Sequence, residues 1–366
     1  MRIVYVLTSL GMGGAERQVM ALAGRMAGRG HTVALMVLRP RAAGQWPPGL
    51  PVIHLEMRKT PGSVLAAMAR GRRFLKSFGP DLVHSHSFHA NLAARLLKST
   101  LPGLPVVSTV HNVYEGGWPR MLAYRLTDGL VCCTTAVCHA AADRFVALKA
   151  IPRRKCVVVS NGIDTAESSP RPERRKLTRE SLTVDAQFIW LATGRIAKAK
   201  DYPNLLRAFR QVLEVHPESR LWVAGDGEAA EVAATRALAD ALGLRKAVRW
   251  LGLRRDVPAL LDAADGFVLA SAWEGMPLAV GEAMAMEKPV AATDVGGVRE
   301  LVGDAGVLTA ANAPDALATA MLAIMERTPE ERRTLGRAAR ERIVQVFAMD
   351  SKTDEWEALY RRITGE

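Results

Sequence analysis

Short apolar runs recur along the chain, most of them separated by stretches long enough for one helix. "RIVYVLTS", "HTVALMVL", "PVIHLEM", "LVHSHS", "PVVSTVHN", "GLVCCTT" and "KCVVVSNGI" make a first series within residues 2–163. Runs that are apolar at nearly every position suit strands buried on both faces, and their alternation with helices predicts a wound parallel sheet. The first helix is periodic in Val19, Leu22, Ala23 and Met26; it is predicted over Ala15–Arg29, stopping at Gly30. The pattern then restarts with "QFIWLATGRI", "RLWVAGDG", "VRWLGL", "GFVLAS", "PVAATD" and "GVLTA". Between the two series, residues 162–185 are polar, include "SSPRPERRK", and read as a surface linker. From Pro329 onward runs a long charged helical pattern. A chain of 366 residues can bury two or three cores. The expected class is α/β: two similar nucleotide-fold domains facing each other with a cleft between them.

No apolar run approaches the roughly 20 residues of a membrane-spanning helix. "MRIVYVLTSL" lacks a small-residue cleavage site and reads as a buried first strand, not a signal peptide. Cys132, Cys133, Cys138 and Cys156 show no metal-ligand spacing and are read as reduced core residues of a cytoplasmic protein. The charge is lopsided. Residues 1–160 hold 21 Lys and Arg against 6 Asp and Glu, whereas the rest hold 28 against 31. An acidic partner for the first half follows. One stretch there, "RKTPGSVLAAMARGRRFLKSF" (residues 58–78), mixes Val64, Leu65, Met68, Phe74, Leu75 and Phe78 with six cations, among them Arg70, Arg72, Arg73 and Lys76. As a helix it is either an interfacial element against an anionic membrane or a core helix with a solvated basic face. Nucleic acid is disfavoured, because the cations are scattered with few interleaved aromatics.

The first strand runs into "LTSLGMGGAERQ". A dinucleotide-binding turn wants glycine at its first, third and sixth positions. Gly11 and Gly13 fit; the sixth position is Glu16. The second strand ends in "VLRPR", with Arg39 and Arg41 where an NAD site would want an acid. An NADP site, a plain tight turn, and a turn receiving another sugar or phosphate at a helix N-terminus all stay open.

The second series is more informative. In "SAWEGMPLAVGEAMAMEKPVAATDVGGVRELV", Glu274 lies in a loop that Gly275 and Pro277 turn into a helix, with Pro277 at the first helical position. Glu282 then sits about 7 to 8 Å further along the axis. The two span a length that suits a sugar at one end and a ribose at the other; the plainer alternative is two helix-surface glutamates. In "ATGRIAKAKDYPNLLRAF", Arg195 and Lys200 follow a strand, where parallel sheets bind ligands. Cations at a helix start are unfavourable unless an anion is bound.

Together these segments resemble the retaining glycosyltransferases of family 4, which have the GT-B fold. The resemblance covers nearly the whole chain, including "GHTV", "DLVHSHSFHANL", "SNGID" and "WVAGDGE". One departure is Glu287, where the family often has glycine before "KPV". The resemblance implies a hexosyl transfer from a UDP- or GDP-sugar to a glycan or lipid-linked acceptor, in polysaccharide or lipopolysaccharide synthesis, without metal or cofactor. It also implies an N-terminal acceptor domain (1–163, plus a C-terminal helix at about 348–366) and a C-terminal donor domain (164–347). By the same resemblance Glu274 meets the donor sugar hydroxyls, Glu282 the ribose, and Arg195 and Lys200 the diphosphate. The backbone of Gly275, Met276, Pro277 and Leu278 helps hold the sugar and phosphate, with Gly225 near the nucleotide. His111 reaches the sugar near the reacting carbon. Gly13, Gly14 and Glu16 face the diphosphate-sugar and the acceptor, and Arg17, His86 and His89 join the acceptor side. A zinc site at His84, His86 and His89 is set aside, since no cysteine completes it. Asp226 and Glu228 are read as a glycine turn near the nucleotide. Glu300, beside Asp294 and Gly296–Gly297, is structural or meets the sugar. The rival functions are a sugar-nucleotide epimerase or hydrolase of the same fold, and a non-catalytic sugar-nucleotide binder.

Overall fold

A computed structural model describes every residue except Met12, residues 41–48, Asp185 and Ala186. Arg41, part of the NADP alternative, lies outside the described residues. The chain forms two compact units, Met1–Gly162 with Met349–Glu366, and Ile163–Ala348.

The first unit holds a seven-stranded sheet: β1 (Arg2–Leu7), β2 (Thr32–Val37), β3 (Val52–His54), β4 (Leu82–His86), β5 (Val106–Val110), β6 (Cys133–Ala136) and β7 (Cys156–Val158). Its order is β3-β2-β1-β4-β5-β6-β7, with every pairing parallel. Val4 lies between Ala34 and Val83. Alternate side chains leave opposite faces. Ile3, Tyr5 and Leu7 pack with Val19, Leu22 and Met26 of the helix Gly14–Gly28. Val4 and Val6 join Leu75, Ala90 and Leu97 on the other face.

The second unit has β8 (Ile189–Thr193), β9 (Arg220–Ala224), β10 (Val248–Gly252), β11 (Gly266–Leu269), β12 (Val290–Thr293) and β13 (Val307–Thr309). Its order is β10-β9-β8-β11-β12-β13, again all parallel. In each sheet the strand order reverses once beside the first strand, at β1/β4 and at β8/β11. Open parallel sheets take ligands outside the carboxyl ends of the strands at such reversals.

The charged C-terminal pattern is two helices, Pro329–Val346, opened by a Thr328–Glu331 capping box, and Met349–Thr364, the separate helix expected at about 348–366. The second returns to the first unit and buries Trp356, Leu359 and Tyr360 there. Arg25–Asp350 at 2.6 Å and Arg29–Glu357 at 2.9 Å add to this docking. Exposed pairs contribute about 0–1 kcal/mol, against roughly 1.5–3 for each large apolar side chain buried, so the aromatic face dominates.

The expected surface linker is partly a helix, Pro172–Ser181. Arg174 pairs with Asp262, and Arg175 with Asp265 at 2.6 Å. Arg175 also donates to the carbonyls of Asp262, Ala263 and Ala264, which end the helix Val257–Ala263. Cations thus satisfy carbonyls that a helix end leaves unpaired. No residue of Pro172–Ser181 is buried, so no apolar periodicity announced it.

Residues Pro61–Phe78 form a helix that buries Ala67, Gly71 and Leu75. Arg70 is tied to the Leu55 carbonyl, while Arg72, Arg73 and Lys76 are exposed and Leu65 is 72% exposed. All four cysteines are free, but Cys132 is exposed, one residue before β6 begins at Cys133, and Cys156 is only half-buried at the start of the edge strand β7. Among the described residues, no helix is long and apolar enough to cross a membrane.

Candidate active site

In the second unit the β8/β11 reversal carries two loops. The chain leaves β8 through Gly194, whose φ of +147° is open to glycine and disfavoured for other residues. Arg195 is exposed there, and a 3₁₀ turn, Lys198–Lys200, follows. The loop after β11 holds Ser271 to Glu274. The Ala272 N–H donates to the Ala199 carbonyl at 2.9 Å, joining the loops. Across that seam Lys200 Nζ lies 2.5 Å from Glu274 Oε1, and the Ser271 hydroxyl donates to the same oxygen at 2.7 Å. Glu274 is only 7% exposed. A carboxylate this buried is tolerated because a cation and a hydroxyl satisfy it.

Glycines set this geometry. A Cβ at Gly225 would collide with the Gly194 carbonyl oxygen, and one at Gly227 with that of Ile196. Gly296, at φ +57°, sits against the Glu274 carbonyl, and the Gly297 N–H donates to the Gly275 carbonyl at 2.6 Å. The glycine doublet was visible in the sequence; that it props the glutamate loop was not. Ser271 carried no signal of its own.

The helix after this loop is Leu278–Ala285, so Pro277 stands one residue before it instead of at its first position. Its N-terminus has no side-chain cap. An uncapped N-terminus offers N–H groups and positive potential to an anion. Met276 is buried, and Glu282 lies within the helix, half-buried. Asp226 accepts from the Gly227 N–H at 2.9 Å and so braces its own turn, while Glu228 precedes the helix Ala229–Ala241. Asp294 pairs with Arg299.

In the first unit the β1/β4 reversal carries the glycine loop and three histidines. Gly13 precedes the helix that Gly14 opens. Glu16 folds back over the loop: its Oε1 accepts from the Ser9 hydroxyl at 3.2 Å, and a Cβ at Gly13 would collide with its carboxylate. The acid at the sixth fingerprint position thus fills the loop that a dinucleotide would occupy. Arg17 is exposed.

His84 and His86 share a face of β4, their rings 3.9 Å apart. His84 is committed on both nitrogens, to the Tyr360 hydroxyl and to Thr109 Oγ1, each at 2.6 Å. In this arrangement neither nitrogen of His84 is left facing His86 or His89. Among the described residues no group of three or more His, Cys, Asp or Glu is placed to hold a metal ion. His86 Nδ1 lies 3.0 Å from His111 Nε2, just beyond the end of β5. Burial pushes all three imidazoles down, His111 to about 4, so they are neutral at pH 7. His89 sits apart, exposed in the first turn of the helix Phe88–Ser99. Glu115 was missed by the sequence reading. It accepts from the His111 N–H at 3.0 Å and from the Tyr124 hydroxyl at 2.6 Å, and burial raises its carboxyl above the usual range.

Comparison with known proteins agrees with this architecture. A family model described as "Glycosyltransferase Family 4" matches residues 12–167, and one described as "Glycosyl transferases group 1" matches residues 173–342. The UDP-Gal:alpha-D-GlcNAc-diphosphoundecaprenol alpha-1,3-galactosyltransferase of Escherichia coli is 28% identical over 301 residues, covering 79% of this chain and 77% of that one. The alpha-D-kanosaminyltransferase of Streptomyces kanamyceticus is 26% identical over 321 residues, 82% of each chain. Among solved structures, Anabaena HepE in complex with UDP-glucose superimposes with a TM-score of 0.85 at 23% identity, covering 98% of this chain and 99% of that one. The sucrose-phosphate synthase of Thermosynechococcus elongatus does so with a TM-score of 0.86 at 19% identity over the whole of both chains. With two wound parallel sheets, each reversed beside its first strand, and two family models that together span most of its length, the chain belongs to the family 4 glycosyltransferases of GT-B fold.

Proposed function

We propose that the chain is a retaining, metal-independent hexosyltransferase that uses a UDP- or GDP-sugar and a glycan or lipid-linked acceptor. The Lys200–Glu274 pair at the β8/β11 reversal carries this reading. Together the two residues offer a cation for a diphosphate and a carboxylate for sugar hydroxyls. Lys200 and the exposed Arg195 stabilise the leaving diphosphate, a task a metal performs elsewhere. Glu274 accepts from the sugar hydroxyls and Glu282 from the ribose. The N–H groups around Gly275–Leu278 and the turn at Gly225 contact sugar, phosphate and nucleotide. In the first unit, which takes the acceptor, His111 is assigned to the donor sugar, the Gly13–Glu16 loop to diphosphate and acceptor, and Arg17 and His89 to the acceptor; His86, expected on the acceptor side from the sequence, is only 2% exposed and faces His111 instead. The name of the Escherichia coli relative, with its UDP-sugar donor and diphosphoundecaprenol-linked acceptor, supports the donor class and a lipid-linked acceptor.

Peripheral contact with an anionic membrane at the inner face of the cell would involve exposed Arg72, Arg73, Lys76 and Leu65. Arg70 is half-buried and bound to the Leu55 carbonyl, so it contributes less than the exposed cations. A panel of nucleotide sugars, read by thermal shift and then by turnover with and without EDTA, tests the main reading. One UDP- or GDP-sugar should raise the melting temperature, since a ligand stabilises the state it binds. Turnover should survive the chelator. Loss of turnover in EDTA, restored by Mg²⁺ or Mn²⁺, would overturn the metal-independent assignment.

A further inference from the structure

His86 is buried at the end of β4, only 2% exposed, and its two nitrogens have different fates. Nδ1 faces His111 Nε2 at 3.0 Å, whereas Nε2 is shut off from solvent and has no partner among the described residues. A neutral imidazole carries one proton, so the pair has two arrangements. If His111 Nε2 holds the shared proton, His86 must carry its own on Nε2, leaving a buried N–H with nothing to donate to. If His86 Nδ1 holds it, the orphan is only a bare lone pair. Orphaned buried donors are the rarer and costlier defect. The second arrangement therefore wins, and it leaves His111 with its own proton on Nδ1.

We infer that His86 is a positioning residue that holds His111 in its Nδ1–H form, so that His111 meets its ligand as a neutral hydrogen-bond donor to a sugar hydroxyl or phosphate oxygen. The inference rests on the proposed assignment of His111 to the donor sugar.

The surroundings fix the pair from every side. The His84 ring lies tilted against that of His86 and is held by Tyr360 and Thr109. Tyr360 in turn donates to the Tyr5 hydroxyl at 3.3 Å. The His111 backbone is anchored by Glu115. Ser87, directly after His86, has φ +69° and ψ +158°, a region almost reserved for glycine. Strain of this kind persists only where the surrounding structure imposes it. The choice of proton on one imidazole nitrogen is set by the partner of the other.

The test is ¹⁵N-histidine labelling of the full chain, with two-bond ¹H–¹⁵N correlations to identify each tautomer, alongside steady-state kinetics. His111 should appear protonated on Nδ1 and bare on Nε2. In His86→Asn an amide N–H can replace the donor, so tautomer and turnover should largely persist. In His86→Phe the donor is gone: the His111 signals should move toward the Nε2–H form and kcat should fall about 10- to 100-fold, as on loss of other orienting partners, with KM for the donor little changed. A melting temperature close to wild type establishes that each variant folds. An Nε2–H His111 in the wild type, or wild-type tautomer and kcat in His86→Phe, would overturn the inference. Wild-type turnover in His111→Ala would instead overturn the assignment of His111 to the donor, whatever the tautomer spectra show.

Discussion

The two sheets reverse strand order at equivalent places but line the reversals with opposite chemistry. At β8/β11 a lysine and a nearly buried glutamate form an ion pair. At β1/β4 the buried groups are neutral imidazoles and hydroxyls, linked through Tyr5, Tyr360, His84, Thr109 and Thr135. Breaking a buried ion pair from one side leaves an uncompensated charge and costs about 3–5 kcal/mol, whereas a neutral hydrogen bond is worth about 1. The charged reversal can therefore give up its pairing only to a ligand that brings charge of its own. The neutral one holds positions without ions to desolvate. The glycines differ in the same sense. Gly225 is pressed against backbone, whereas Gly13 is covered only by the flexible end of Glu16.

The strongest way to break the comparison is at the charged reversal. Glu274→Ala should lower turnover at least about 100-fold, the equivalent of roughly 3 kcal/mol, because the charged contact is made in the transition state. Lys200→Ala and Arg195→Ala should each weaken nucleoside diphosphate binding in calorimetry, and the double variant should lose less than the sum, since both act on one diphosphate. Wild-type turnover in Glu274→Ala, or strict additivity, would remove the charged site.

Next comes glycine against glycine. Gly225→Ala should destabilise the second unit by about 3 kcal/mol or more, because backbone must move to relieve the overlap. Gly13→Ala should cost under about 1 kcal/mol, because only the Glu16 carboxylate must swing away. Denaturant titrations of the two variants give the ratio directly, and equal losses would erase the distinction.

The neutral reversal is exposed by acid. In the unfolded chain the histidines titrate near 6.5, and in the folded protein burial holds them lower, with His111 at about 4. The unfolded state therefore binds more protons in that window. The stability this contributes is complete above about pH 6.5 and is lost as pH falls toward 4. Calorimetry should show the melting temperature of the first unit falling over that range, by about 2–4 °C for each kcal/mol lost. His86→Asn should flatten the slope. Glu357 lies in the same unit but acts lower, since its arginine partners hold it at about 2, below the ordinary 4.5. Glu115, raised by burial, works the other way toward the low end of this window, so an identical slope in wild type and His86→Asn would mean the histidines are not protected.

The smallest expected effect is at Glu287. It sits at φ +58° in the turn after the helix Leu278–Ala285. A side chain in the left-handed region costs about 1–2 kcal/mol, partly offset by the greater entropy glycine loses on folding. Glu287→Gly should therefore stabilise the second unit by up to about 1 kcal/mol in a denaturant titration, with activity unchanged. Destabilisation would show that the glutamate side chain earns its place through contacts.

The sequence by itself determined the class of fold, because strands buried on both faces have to be apolar at nearly every position, and thirteen such runs leave a legible rhythm. It also made the chemistry-bearing residues stand out: Glu274, Arg195 and Lys200 are charges placed where strands end. Pro172–Ser181 was not legible as a helix, since it docks by arginine-to-carbonyl bonds and buries no apolar face. Neither could local pattern show that Lys200 meets Glu274 across 74 positions, that Gly296 props the glutamate loop, that Glu16 folds into its own glycine turn, or that His86 faces His111. Those pairings depend on which strands become neighbours. Strand order is set by burying every face of the sheet at once, a condition no single segment contains.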